Sequence, residues 1–377
     1  MTSISTLLPT YATVNLAALA HNLSRIKRYL SPGCEIMAVV KANAYGHGAV
    51  ETAQALAQQG IERFAVASLD EGIALRQAGL SASIVVLGAL FEEQVFDLVA
   101  HQLTPVVSDG RILPTLAKAA RSHQAPYPIH LKVETGMGRL GFSPEELLSL
   151  LDNPILRSPL QVEGMMTHLA DADGADSGFT ERQLGAFRTM LEQIRQCGLT
   201  LPLVHTANSA AIVRFPESHF SLVRPGIMLY GYHTFPATIP APDLKPILSL
   251  QTRIVHLRTI PRGGTVSYNG TFVATRPTRI AVLPIGYADG YSRRLSYRGS
   301  VLIQGRRAPI IGLVCMDMIM VDVTDLASVQ VGEIVTLIGH QGQESIWADE
   351  VADWIGTITY EVLCEIGTPV PRLYESA

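Results

Sequence analysis

The sequence predicts an α/β fold: a parallel (β/α)8, TIM-like barrel over residues 1–235, followed by a mainly β C-terminal domain over residues 236–377. Three observations carry this. Eight short β-rich runs alternate with helical patterns up to about residue 230, the rhythm breaks at a proline-rich stretch, and short strand-like runs without long helices follow it.

The eight runs are EIMAVV (35–40), RFAVAS (63–68), SIVVLG (83–88), TPVVS (104–108), IHLKVE (129–134), VEGMMTH (162–168), PLVHTA (202–207) and SLVRPG (221–226). Between most of them lie segments such as HGAVETAQALAQQG, LDEGIALRQAGL and SGFTERQLGAFRTMLEQIRQCG. Apolar residues recur there at three- and four-residue spacing, and several of the segments end in glycine, as helices do. A doubly wound open sheet is the alternative, but the eightfold count matches a closed barrel directly. TVNLAALAHNLSRIKRYL (13–30) precedes the first run and reads as an extra strand and helix. The connector TFPATIPAPDLKP (234–246) leads to LSLQTRIVHLRTI, TRIAVLPIGY, SVLIQGRRAPIIGLV, MIMVDVTD and EIVTLIG, with turn residues between them.

Composition narrows the function classes. With 377 residues, 47% of them hydrophobic and 16% charged, the chain is long enough for two well-buried domains. A net charge of −4 gives no reason to expect nucleic acid or an anionic membrane as partner. The four cysteines, Cys34, Cys197, Cys315 and Cys364, form no CxxC pair, which fits a reducing compartment and no zinc-type metal site. The N-terminal MTSISTLLPTYATVNL has neither the basic start nor the apolar run of a signal peptide, and no stretch is long enough to span a bilayer. The expected location is cytoplasmic.

In such barrels, functional side chains sit at the C-terminal ends of the strands. Here those ends carry Lys41, Lys132 running into Arg139, His168, then His205, Asn208 and Ser209, and finally Arg224 with Gly226 and Ile227. Taken singly, a lysine at a strand end is ordinarily a snorkelling surface residue, and His168 and His205 are ordinarily satisfied core or rim histidines. Gathered on one rim, the set calls for a different explanation. The loops after the last two strands form the usual phosphate site of these barrels, and here they offer a serine hydroxyl and the backbone amides near Gly226. There is no Walker loop and no GxGxxG after a strand. A lysine facing a phosphate cup points to pyridoxal 5′-phosphate, whose aldehyde condenses with a lysine amine.

AVVKANAYGHG, LKVETGMGRLGF, HTANSAA, RPGIMLYG, VSYNGTF, PIGYADGY, CMDM and TITYEVLCEIG closely resemble, in order, the motif series of alanine racemases. The likeness runs from about residue 12 to 372. It implies interconversion of L- and D-alanine, and a homodimer in which one subunit's barrel is completed by its partner's second domain. It further implies that Lys41 holds the cofactor and acts as one catalytic acid/base, and that Tyr268 of the partner acts as the other on the opposite face. By the same resemblance His168 contacts Tyr268 and leads to Arg224 in a cationic chain, and Arg224 faces the pyridine nitrogen. The likeness also puts Arg139 by the phenolic oxygen and the substrate carboxylate. Lys132 beside it becomes a candidate for carbamylation, because two cations in contact repel. The resemblance likewise implies that Tyr45, Ser209, Gly226, Ile227 and Tyr360 hold the phosphate, with His205 and Asn208 in the same wall. The likeness also implies that Met316, in the partner's CMD motif, offers its backbone amide to the substrate carboxylate, and that Tyr287 and Tyr360 narrow the entrance to methyl size. D-alanine for peptidoglycan and alanine breakdown are both compatible tasks. The other readings are a serine or broad-specificity racemase on the same scaffold, and a non-catalytic pyridoxal-phosphate carrier, against which the second domain argues.

Overall fold

In the computed structural model of the protein, residues 8–123, 125–236 and 238–375 are described. The first seven residues of the N-terminal stretch considered above, and position 237 of the connector, lie outside them. The chain forms two compact units. One comprises Leu19–Ala44 and Ala49–Leu244; the other comprises Met1–Ala18, Tyr45–Gly48 and Lys245–Ala377.

The first unit is built on an eight-stranded parallel sheet. Strand β1 (Thr10–Asn15) belongs to the other unit, so the barrel strands are β2 (Glu35–Val39), β3 (Arg63–Val66), β4 (Ser83–Val86), β5 (Thr104–Val107), β6 (Tyr127–Lys132), β7 (Leu160–Met166), β8 (Leu203–His205) and β9 (Leu222–Val223). Their order is β8-β7-β6-β5-β4-β3-β2-β9, the cyclic order of a barrel, and each coincides with one of the eight predicted runs. The last seam lacks a regular ladder and is closed by single backbone bonds, Ser221 N–H to Val204 O (3.2 Å) and Arg224 N–H to Ala207 O (2.9 Å). Strands such as β4 and β5 are apolar along most of their length because parallel strands in a barrel are buried on both faces.

The helices between the strands are punctuated as their sequences suggest. The helix Leu69–Gln77 starts with a capping box between Ser68 and Glu71, and the helix Pro144–Leu151 with another between Ser143 and Glu146. The longest, Gly178–Gln196, buries Leu184, Phe187, Met190, Leu191 and Ile194 along one stripe.

The expected first domain from residue 1 differs from this division at its start. Residues 10–15 form β1, which pairs antiparallel with β10 (Leu248–Arg253) and parallel with the C-terminal strand Arg372–Glu375. Its alternating apolar residues are satisfied by that sheet, whose β10 is buried on every second residue. The second unit holds a seven-stranded sheet, a three-stranded antiparallel sheet and the two-stranded hairpin Thr265–Val266 with Phe272–Val273. A small core of Ile260, Val266, Ala274, Ile280 and Ile311 includes one residue of that hairpin, and Phe272 of its second strand packs against it. No helix among the described residues is long and apolar enough to cross a membrane.

Candidate active site

Strand β2 ends one residue before Val40, and Lys41 follows. Ala42, Asn43, Ala44 and Tyr45 all have φ near +53°, so the chain makes a turn of left-handed helix here, closed by Ala44 N–H to Val40 O at 2.9 Å. L-residues avoid this region at a cost of about 1–2 kcal/mol each, so the turn needs outside support. Glu71 supplies it: one carboxylate oxygen accepts the Ala42 N–H at 2.6 Å and the other the Ala67 N–H at 2.7 Å. The Asn43 side chain accepts the Ala49 N–H at 2.9 Å and ties the turn to the next helix. Lys41 is half-buried at the top of its strand.

Strand β6 ends in Lys132, which is 4% exposed. Burial, then Arg139, Arg224 and Lys41, pull its ammonium down to about 8, against a smaller opposing effect of Glu134. Glu134 accepts the backbone N–H groups of Gly136, Gly138 and Arg139, and so folds the TGMG loop that presents Arg139. Beyond β7, His168 is drawn down to about 3 by burial and by Arg224, Arg139, Lys132 and Lys41. It is therefore a neutral imidazole, and the cationic charge expected of the His168–Arg224 chain resides on Arg224. Gln183 fixes this loop, donating to His168 O and accepting the Ala170 N–H.

Arg224 is buried, and burial lowers it to about 10, which leaves it charged at neutral pH. Its Nη1 donates to His205 Nδ1 (2.9 Å) and His205 O (2.7 Å), and its Nη2 to Thr167 O (2.9 Å) and Thr206 O (3.0 Å). Those bonds use four of the five guanidinium hydrogens, leaving Nε–H without an acceptor among the described residues. His205 thus stands behind Arg224, at a different place from the phosphate wall to which the resemblance assigns it.

The phosphate cup expected after β8 and β9 has donors to spare. Asn208 caps the short helix Ser209–Arg214 through the Ala211 N–H. Ser209 Oγ accepts the Gly226 N–H (2.9 Å) and the Met228 N–H (3.4 Å), so the Gly226 amide is already engaged. The Ser209 hydroxyl hydrogen and the Ile227 N–H have no acceptor among the described residues. Two hydrogen-bond donors at a barrel rim populated by cations fit a phosphate monoester, and Lys41 on the same rim fits an aldehyde.

The second unit carries the remaining candidates. Tyr45 packs on Tyr360, ring centroids 5.8 Å apart. A Cβ on Gly46 would run into the Leu363 carbonyl, which explains the glycine after Tyr45. Tyr268 is 62% exposed. It is flanked by Ser267 at φ +69°, ψ −179° and Asn269 at φ +61°, conformations that side chains avoid. The Ser267 hydroxyl holds this turn by donating to Leu313 O (3.1 Å) and accepting the Leu313 N–H (3.0 Å). A pocket of about 500 Å3 is lined by Tyr268, Val266, Cys315, Met316, Met318 and Met320, among others. Tyr287 and Ala288 donate their N–H groups to Cys315 O and Met316 O, locking the PIGYADGY segment onto the CMDM turn. The supporting groups Glu71, Gln183, Thr167 and Ser267 carried no signal in the sequence beyond the capping box that contains Glu71.

Residues 14–234 match the family of alanine racemase N-terminal domains, and residues 247–374 the family of alanine racemase C-terminal domains. An alanine racemase of Carboxydothermus hydrogenoformans is 46% identical over 97% of this chain and 99% of its own. One of Halothermothrix orenii is 43% identical over 98% and 97%. Among solved structures, the alanine racemase of Bacillus anthracis with bound L-Ala-P aligns with a TM-score of 0.92 at 36% identity, over 98% of this chain and 95% of that one. The alanine racemase of Bartonella henselae with covalently bound pyridoxal phosphate aligns with a TM-score of 0.88 at 32% identity, over 98% and 100%. The chain belongs to the alanine racemase family.

Proposed function

We propose that the chain interconverts L- and D-alanine with pyridoxal 5′-phosphate by a two-base mechanism, with Lys41 on one face of the substrate's α-carbon and Tyr268 of a partner subunit on the other. The observation that carries this is the gathering of Lys41, Lys132, Arg139 and Arg224 around a neutral His168 at one end of the barrel. Four cations so close need anions, and the phosphate, the phenolic oxygen and a substrate carboxylate supply them. When bound, the cofactor withdraws electrons from the amino acid and so acidifies its α C–H bond.

Lys41 would hold the cofactor, then move a proton to or from the α-carbon. Tyr268 does the same from the opposite side; racemisation needs one base on each face. Arg224 keeps a fixed positive charge and its one uncommitted N–H for the ring nitrogen, which disfavours protonation there and with it transamination. The Ser209 hydroxyl and the Ile227 amide, with Tyr45 and Tyr360, hold the phosphate. Arg139 and the amide of Met316 from a partner subunit orient the substrate carboxylate, and Tyr287 with Tyr360 limits the side chain to about a methyl group. Lys132, its ammonium pulled down to about 8 by burial and by Arg139, is suited to carbamylation, which would turn a repulsive interaction into an attractive one.

The exposure of Tyr268 (62%) and Met316 (52%) supports a homodimer with shared active sites. Cytoplasmic supply of D-alanine for peptidoglycan, or alanine breakdown, is the setting this chemistry fits. The test is to purify the protein with pyridoxal phosphate and to follow D-alanine formation and solvent-proton exchange at the α-carbon. A yellow protein that exchanges no α-proton defeats the proposal in favour of a carrier. Faster turnover of serine than of alanine defeats the substrate assignment.

A further inference from the structure

A second line of polar groups runs through the barrel interior from Arg224. His205 Nε2 lies 2.7 Å from His130 Nδ1. His130 Nε2 lies 3.6 Å from the Glu163 carboxylate, Glu163 is 3.9 Å from Arg63, and Arg63 Nε is 2.9 Å from Glu35. Both imidazoles are completely buried. Apolar side chains would fill this space at lower desolvation cost, so the line calls for a reason beyond packing.

The donors fix where the protons sit. A guanidinium only donates, so the His205 Nδ1 that Arg224 touches must be bare. A neutral His205 then carries its proton on Nε2 and donates to His130 Nδ1. His130 in turn carries its proton on Nε2, the atom that faces Glu163 and has no other partner. At 3.6 Å this is a charge-directed contact rather than a full hydrogen bond. The His130 side nevertheless holds the Glu163 carboxyl below its ordinary range. Room for the ring is kept by Gly164, where a Cβ would lie 2.8 Å from His130 Cε1 and Nδ1.

We infer that His130 and Glu163 are positioning residues for Arg224: by fixing the proton of His205 on Nε2 they keep Nδ1 an acceptor, and so hold the guanidinium with Nε–H as its one uncommitted donor. The link to the cofactor rests on the reading above that Arg224 faces the ring nitrogen. Reversing either tautomer would set an N–H of His205 against an N–H of Arg224 and turn the guanidinium away.

The experiment is 15N NMR of the holoenzyme labelled in its histidines, combined with the pH titration of the cofactor's visible band and with steady-state kinetics. In the wild type both rings give the neutral Nε2–H signature. Glu163→Gln, which keeps the shape and removes the charge, is expected to move the His130 and His205 signals together. It is also expected to shift the titration of the visible band and to lower kcat several-fold at little-changed KM; Glu163→Asp restores all three in part. Histidine signals unchanged in Glu163→Gln overturn the relay. Signals that move while band and kcat stay at wild-type values overturn its link to Arg224 and the cofactor. A wild-type protein with no visible band counts against the functional reading instead, and the histidine signals still decide the relay.

Discussion

A Glu71 carboxylate oxygen accepts the Ala42 N–H at 2.6 Å, and Ala42 is the first of four successive left-handed residues after Lys41. One acidic side chain, three residues into a helix it also caps, thereby holds the strained turn on which the candidate catalytic lysine is mounted. The strain lies on one element and its compensation on another.

Glu71→Ala is therefore expected to cost about 2–3 kcal/mol of stability, the range for losing hydrogen bonds to a charged acceptor plus a capping box. Cofactor retention should fall with it. Glu71→Gln keeps one acceptor and recovers part of both. Urea denaturation and the dissociation rate of the visible chromophore measure the two effects.

Ala42→Gly should be neutral or stabilising by up to about 1 kcal/mol, although glycine in a right-handed helix costs about that much relative to alanine. At φ +52° alanine carries the penalty and glycine does not. Destabilisation of this variant by 1 kcal/mol or more would show that the turn is not left-handed in solution.

Ser267→Ala removes both hydroxyl contacts to Leu313 and leaves the backbone strain in place, so it should be less stable by about 1–3 kcal/mol. Ser267→Gly loses the same contacts but relieves φ +69°, and should lie above the alanine variant. The order of the two in thermal denaturation is the check. In both, proton exchange attributed to Tyr268 should slow in one direction of racemisation more than in the other.

His168 sits near 3 when folded, against an ordinary value of 6.5. Below about pH 6.5 the unfolded chain binds a proton that the folded chain refuses, so stability declines as pH falls from 6.5 toward 3, with no contribution from this group above that window. His168→Gln should flatten the profile in that window and leave it unaltered at higher pH. An unchanged acid limb would mean that His168 is already protonated in the fold.

Lys132 turns into a free amine at about pH 8, within reach of dissolved carbon dioxide. Incubation with 13C-bicarbonate near that pH should produce a carbamate carbonyl signal that Lys132→Ala abolishes. A spectrum identical in the two proteins removes carbamylation from the account.

The eight barrel strands were legible because parallel strands buried on both faces must be continuous apolar runs, and SIVV and TPVV can be little else. The rim residues were legible because chemistry there needs particular side chains at strand ends. The supporting residues were not. Glu71 reads as an ordinary capping glutamate, His130 as a core histidine and Ser267 as a turn residue, because each acts on a partner distant in sequence or on the backbone.

By itself the sequence determined the barrel, the β-rich second half and the lysines, histidines and arginines at the strand ends, since hydrophobic period and side-chain type are local properties, while Tyr268, Tyr287 and Tyr360 stood out only through the family resemblance. Only the tertiary structure decided that β1 pairs in the sheet of the second unit, that Lys41 rests on a left-handed turn, and that Arg224 keeps one N–H without an acceptor among the described residues. Strand pairing, backbone strain and the count of satisfied donors depend on which distant groups meet, and that is set by packing of the whole fold.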